Sequence, residues 1–312
     1  MTKRAFKSDN SLFDKKAFFS MKIPRSFGTH DGTFHADEVT ACALLEFFGL
    51  IDHDKIKRTR SHEELRSLEY VCDVGGIYDP TIQRFDHHQA DYKGPLSSAG
   101  MILDYLKQTA KLTNKEFDFF NNSLVRGVDA HDNGKDPQIP GFCTFSQVIS
   151  NFTPVHYDAL PEMQDAAFLE AKNFALGHLT RLWQRYQYNQ SCREVVQQAM
   201  REYRDCLFFD TSIPWMDAFF DLDGERHPAR FVIMPSGKCW KLRGIPPSSD
   251  EKMKVRQPLP EEWAGLLDEE LQKVSGIPGA LFCHKGRFIS VWKTKEDAES
   301  ALQFVLNSRN VS

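Results

Sequence analysis

Four segments concentrate the residue types that hold divalent cations or move protons. The first, Thr29-His30-Asp31-Gly32-Thr33-Phe34-His35-Ala36-Asp37, places His30, His35 and Asp37 within one turn. A mixture of imidazole and carboxylate suits hard or borderline divalent metals. In the second, Val71-Cys72-Asp73-Val74-Gly75-Gly76, one carboxylate follows an apolar run. A carboxylate so placed can give one oxygen to each of two metals. The third, Phe85-Asp86-His87-His88-Gln89, offers one ring for a metal and one for a substrate, with Asp86 orienting a neighbouring ring. The fourth, Val128-Asp129-Ala130-His131-Asp132-Asn133-Gly134, could supply a terminal carboxylate ligand. Taken singly, each segment also reads as a polar turn or a helix cap. Four of them in order within about a hundred residues, each near the end of an expected element, are better explained by one site.

The elements that must position these residues alternate. Strands are expected at 25–30, 55–60, 69–74 and 83–86. Helices are expected at 36–48, 61–67, 98–109 and 115–128, the last ending near the Asp129–Gly134 loop. Alternation of this kind predicts an α/β domain with a largely parallel sheet. The polar segments follow strand ends, the edge at which open α/β sheets bind ligands. Ser97 and Ser98, with Gly100, can cap the helix at 98 or hold a phosphate at its N-terminus. Residues 161–206 read as one or two long connecting helices. Strand-like segments resume at 207–209, 230–234 and 280–282, predicting a smaller α+β domain with a mobile loop at 244–260. The expected organisation is a tail at 1–25, a metal-binding domain at 26–200 and a substrate-binding domain at 201–312.

The chain's 312 residues are 41% hydrophobic and 26% charged, the composition of a soluble globular protein. No apolar run is long enough for a membrane span. A net charge of −4 argues against a surface coated in basic residues for nucleic acid, though not against a local basic groove. The seven cysteines form no CxxC pair, which excludes a zinc ribbon or thioredoxin motif and suits reduced thiols. Residues 1–25 carry seven Lys or Arg, but Asp9 and Asp14 count against a transit peptide. A cytoplasmic location is expected, with a mitochondrial one as the alternative if the tail is a targeting segment.

The segments GTHDGTFHADE (from Gly28), DVGGIYDP (from Asp73), RFDHHQ (from Arg84), LSSAG (from Leu96) and VDAHDNG (from Val128) resemble the melanocyte proliferating gene exonuclease family. That family lies within the DHH phosphoesterase superfamily, named for the motif standing here as Asp86-His87-His88. The resemblance runs from about residue 26 to the C-terminus. It implies two divalent ions, manganese first and magnesium second. His30 and His35 would bind one ion and Asp37, His87 and Asp129 the other. Asp73 would bridge them and His88 would contact the substrate phosphate. His35 stands where many superfamily members have Asp, which lowers the negative charge of the site. The implied activity is 3′→5′ exonucleolytic hydrolysis of RNA, with single-stranded DNA as a second substrate, by a hydroxide activated between the metals.

The second domain is expected to supply the other half of a cleft. Arg230, Lys241, Arg243 and His284 are its candidate substrate contacts, because basic and aromatic residues together suit a single strand. Hydrolysis of small phosphates (oligonucleotides, cyclic dinucleotides, nucleotide bisphosphates or pyrophosphate) is the alternative activity. A non-catalytic metal-binding or RNA-binding module is the third reading. RNA or another nucleotide is the expected partner. No membrane and no obligatory protein partner is expected, and homo-oligomers are compatible with the sequence.

Overall fold

The computed structural model describes residues 22–307. The expected tail at 1–25 falls mostly outside the described residues. Two compact units divide between Leu182 and Trp183, inside the longest helix. The sequence reading puts the boundary at 200. A helix unbroken from Pro161 to Ser191 gives no local signal for a division within it.

The first unit opens with β1 (Ile23–Thr29), α1 (Ala36–Phe47), β2 (Ile56–Arg58), α2 (His62–Ser67) and β3 (Leu68–Cys72). Two short strands follow, β4 (Tyr78–Asp79) and β5 (Arg84–Phe85). Helices α3 (Ser98–Gln108), α4 (Asn114–Phe120), α5 (Arg126–Asp132) and α6 (Phe145–Ser150) follow, and α7 (Pro161–Ser191) completes it as far as Leu182. The sheet runs β2-β1-β3-β5-β4 and is parallel except at the β4 edge. Helix α1 is buried from Ala36 to Leu45, and its small residues Ala41, Cys42 and Ala43 let neighbours approach closely. Phe27, Val71, Phe85, Ile102, Leu106 and Val128 are also buried in this unit. Each full burial of such a side chain contributes about 1.5–3 kcal/mol. A five-residue π turn (Asn121–Val125) links α4 to α5, and the helical path continues to Asp132. Asp129 therefore sits inside a helix and not at the start of a loop.

The second unit holds α8 (Arg193–Glu202), β6 (Cys206–Phe208), α9 (Trp215–Asp221), β7 (Phe231–Ser236) and β8 (Cys239–Gly244). It ends with α10 (Asp268–Ser275), β9 (Ala280–Cys283), β10 (Ile289–Trp292) and α11 (Lys295–Asn307). Its sheet runs β6-β7-β8-β10-β9, with only β6–β7 parallel. Alternation on β7 feeds two cores. Phe231 and Ile233 pack with Leu242, Trp263 and Trp292, while Val232 and Met234 pack with Trp215 and Phe219. The 244–260 segment, expected to be mobile, is fastened by Arg256, whose guanidinium donates to the carbonyls of His227 (2.5 Å), Gly224 (2.7 Å) and Ala229 (2.8 Å). Ile245 and Leu259 are buried at its ends. Among the described residues no helix is long and apolar enough to cross a membrane. All seven cysteines are unpaired.

Candidate metal centre

Three parallel strands end side by side, and each releases a ligand-bearing residue at its carboxyl end. His30 follows β1, Asp73 follows β3, and Asp86-His87-His88 follows β5. β1 lies between β2 and β3, so the chain leaves it toward opposite sides of the sheet. This is the switch point at which open α/β sheets form crevices. The first turn of α1 adds Asp37 and Glu38, and the last turn of α5 adds Asp132.

Asp73 holds the centre. Its backbone lies in the left-handed region (φ 57°), which turns the chain sharply off the strand. Asp tolerates this region better than most residues. Gly75 (φ 98°) and Gly76 (φ 67°) continue the turn, and the Gly76 N–H donates to Asp86 Oδ2 (2.5 Å). His30 Nδ1 faces the carbonyl oxygen of Asp31 at 2.9 Å. A carbonyl only accepts, so Nδ1 carries a hydrogen, which leaves Nε2 as the ring nitrogen that a cation would use. That Nε2 lies 3.1 Å from Glu38 Oε1 and 3.2 Å from Asp73 Oδ2. His87 Nε2 lies 3.3 Å from Asp73 Oδ1 and 3.2 Å from Asp132 Oδ2, without hydrogen-bond alignment to either.

The polar atoms here converge but do not satisfy one another. Both Asp37 oxygens, Glu38 Oε2, Asp73 Oδ1, Asp132 Oδ2 and His87 Nε2 are buried without a hydrogen-bond partner. An unsatisfied buried polar atom costs about 1–3 kcal/mol, and more when charged. Among the described residues no Lys or Arg pairs with Asp37, Glu38, Asp73 or Asp132. His30, His35, Glu38 and Asp73 bring ligand atoms within 4.8 Å of one another; Asp73, His87 and His88 do the same, as do Asp37, His87 and Asp132. Asp73 belongs to two groups and His87 to two. This donor set fits divalent cations, which would satisfy the orphaned atoms and neutralise the carboxylates.

Without a cation the groups share protons. Burial opposes charge on His30, but Asp73 and Glu38 outweigh it and raise the imidazole to about 10. Burial likewise opposes charge on Asp73, yet His30 and His87 hold its carboxyl down at about 2. Asp37 is pushed well above the usual carboxylate range by burial first, then by Glu38 and Asp73.

The two rings of the Asp-His-His segment have separate surroundings. The His87 side chain is 12% exposed and faces inward, whereas that of His88 is 63% exposed. Asp86 Oδ1 accepts from the His88 backbone N–H (3.1 Å) and sits 2.9 Å from its Nδ1. With Nδ1 engaged, Nε2 is the ring nitrogen available for substrate. Two cavities open on the cluster. One of about 440 Å³ is lined by His35, Asp37, Asp73, His87, His131 and Asp132. The other, of about 600 Å³, is lined by His30, Arg60, Asp73, Asp86 and His88.

Asp129 and the serines before α3 are not brought to this cluster. Asp129 Oδ1 accepts from Ser97 N (3.0 Å), Ser97 Oγ (2.8 Å) and Gly100 N (3.1 Å). The N-terminus of α3 favours negative charge, and the protein supplies its own carboxylate where the sequence suggests a substrate phosphate. Ser97 and Ser98 are fully buried, and Ser98 Oγ donates to the Phe85 carbonyl (2.8 Å). Asp132, one turn beyond Asp129, faces His87 instead. The sequence reading gives neither Asp132 nor Glu38 a role. It also leaves His131 without a role, although this residue lines the smaller cavity and pairs through Nδ1 with Asp136 Oδ2 (2.8 Å).

In the second unit, Lys241 and Arg243 alternate with buried Leu242 and so share one face of β8. Burial first, then Arg243, pushes the Lys241 ammonium down. The Arg243 guanidinium lies 5.9 Å from the Phe288 ring, which lies 4.3 Å from His284. Arg230 stands apart, tied to Asp205 (2.6 Å) and Gln257 (2.9 Å).

A family model for MYG1 exonuclease, described as Uncharacterised protein family (UPF0160), matches residues 26–305. The chain is 52% identical over 291 residues to the MYG1 protein of Chlamydia muridarum, covering 93% of this chain and all of that one. It is 30% identical over 338 residues to the human MYG1 exonuclease, covering 95% and 89% respectively. A crystal structure of RecJ from Thermus thermophilus in complex with Mn2+ aligns over 90% of this chain at 11% identity and a TM-score of 0.29. The chain spans about half (52%) of that RecJ chain, and the likeness is too slight to carry an argument. The family match takes in both units and every strand end that builds the cluster, and the chain belongs to the MYG1 exonuclease family.

Proposed function

We propose that this chain is a metal-dependent phosphodiester hydrolase that removes nucleotides from the 3′ end of RNA, with single-stranded DNA as a second substrate. The observation that carries the reading is the buried set of unpartnered carboxylate and imidazole atoms around Asp73. The name of the mammalian relatives, MYG1 exonuclease, supports nuclease chemistry. The 3′→5′ direction and the RNA preference come from the family resemblance.

In this account His30, His35, Glu38 and Asp73 would hold one cation, and Asp37, His87 and Asp132, with Asp73 shared, would hold a second. When bound, two divalent cations, manganese first, supply Lewis acidity and water activation at neutral pH. Asp86 fixes the His88 ring so that its exposed Nε2 meets a non-bridging phosphate oxygen and stabilises the charge developing there. Lys241 and Arg243 neutralise backbone phosphates, and the Phe288–His284 pair offers rings against which bases stack. Seven unpaired thiols accord with a reducing compartment, and the proposal places the chain in the cytoplasm.

The test incubates purified protein and manganese with 5′-labelled RNA, single-stranded DNA, dinucleotides and pyrophosphate, beside Asp73→Ala. A ladder shortening from the 3′ end of RNA and absent from the variant is the expected result. Turnover of dinucleotides or pyrophosphate alone replaces the exonuclease reading with small-phosphate hydrolysis. No turnover of anything overturns the hydrolase reading.

A further inference from the structure

A third cavity of about 350 Å³ adjoins the metal cluster and has no charged Lys, Arg, Asp or Glu in its lining. It shares Gly32 and Thr33 with the cavity that holds His30 and His88, and Ser150 with the cavity that holds Asp37 and His87. It thus lies one loop away from both sides of the cluster. Its size is at the lower end of the roughly 300–1,000 Å³ range of small-molecule sites, suited to one nucleoside and not to a strand.

The lining favours a nucleobase. Asn151 is exposed and its side-chain amide has no protein partner among the described residues. Gln164 uses its amide N–H on the Ala159 carbonyl (3.3 Å), which leaves its oxygen free. Asn151 thus presents donor and acceptor together and Gln164 adds an acceptor, the pattern that reads base edges. Tyr157 is wholly exposed (106%), an unusual position for a large ring, and makes no ring contact among the described residues. An exposed aromatic ring lining the same cavity as a free amide is a platform for stacking. The lining includes His156 but no Lys or Arg, which favours a base over a phosphate as occupant. The wall shared with the cluster is held rigidly, because Arg58 donates to the Gly32 carbonyl and its guanidinium lies 5.6 Å from the Phe34 ring.

We propose that this cavity is a nucleoside subsite that receives the base and sugar of the terminal nucleotide while its phosphate lies at the cluster. The inference rests on the phosphodiesterase reading and adds to it the element that recognises a base.

Two measurements test it. Manganese-loaded full-length protein is titrated calorimetrically with adenosine 5′-monophosphate and with ribose 5-phosphate. The nucleotide should bind at least about fivefold more tightly, the low end of base-stacking effects, and the difference should collapse in Asn151→Ala and Tyr157→Ala. Both positions are exposed, so the variants keep their fold. In parallel, kcat/KM is compared on an oligoribonucleotide with an ordinary 3′ terminus and on one whose terminal sugar lacks its base. The wild-type ratio should exceed about fivefold and fall toward one in the variants, through KM. Equal affinity for the two phosphates, or a ratio that the variants leave unchanged, overturns the subsite while hydrolysis continues. Hydrolysis of neither oligonucleotide by the wild type overturns the hydrolase reading and the subsite with it.

Discussion

Asp129 and Asp132 lie one turn apart on α5, a spacing that places them on neighbouring parts of one helix face. Asp129 reaches the N-terminus of α3, while Asp132 reaches His87. The sequence reading takes Asp129 as the ligand and gives Asp132 no role. What decides between them is Gly100, about thirty residues away in the chain, whose missing side chain admits the Asp129 carboxylate. A Cβ there would stand 2.4 Å from Asp129 Oδ2. Glu38 is hidden for a related reason. Its Oε1 accepts from the His35 backbone N–H (2.8 Å) as any first-turn acid would, yet the same oxygen lies 3.1 Å from His30 Nε2. His30, Asp73 and His87 are legible because each follows a strand end directly. The two aspartates therefore separate experimentally. Asp132→Ala should abolish one manganese equivalent, counted by isothermal titration, with little loss of stability. Asp129→Ala should keep the metal count and lower stability by about 2 kcal/mol in urea unfolding, since it strips buried N–H groups of their acceptor. Metal loss in the Asp129 variant alone would reverse the assignment.

At the scale of elements, the parallel strands and α1 are legible from apolar runs that end in polar residues. β8 and β10 are not, because they are short, so their alternation spans too few residues to stand out, and β8 lies beside a Pro-rich stretch. Long-range anchors are also invisible. Lys172 on α7 is fully buried and donates to Glu46 Oε2 on α1 (2.6 Å), a pairing that no local pattern announces. Arg58, the last residue of β2, is a second such anchor. Its side chain is 2% exposed, pairs with Asp165 (2.9 Å), donates to the Gly32 carbonyl and lies between the Phe34 and Phe168 rings. It braces the loop between His30 and His35 without touching the cluster. Arg58→Met should preserve the fold and weaken manganese binding by about 10–100-fold, the range seen when the support of a metal ligand is removed. Unchanged affinity by calorimetric titration would show that the loop needs no brace.

At the scale of the molecule, one unit carries a crowd of buried carboxylates that repel one another without a cation. Metal binding is then linked to folding. Manganese at about 100 times its Kd should add about 2.7 kcal/mol to stability and raise Tm in a thermal scan, with chelation reversing the gain. A Tm indifferent to manganese would mean that the carboxylates are satisfied by protons alone. The second unit is legible as α+β from its strand-like segments, but the division inside α7 is not, since an uninterrupted helix carries no boundary signal. The central claim is that the carboxyl edge of the first sheet is a two-cation centre shared through Asp73. Anomalous diffraction at the manganese edge from crystals grown with manganese tests it most directly. The account predicts two peaks, each within ligand distance of one Asp73 oxygen, one beside His30 and the other beside His87 and Asp132. No peak at this edge, or a peak bound by Asp129 and not by Asp132, would contradict it.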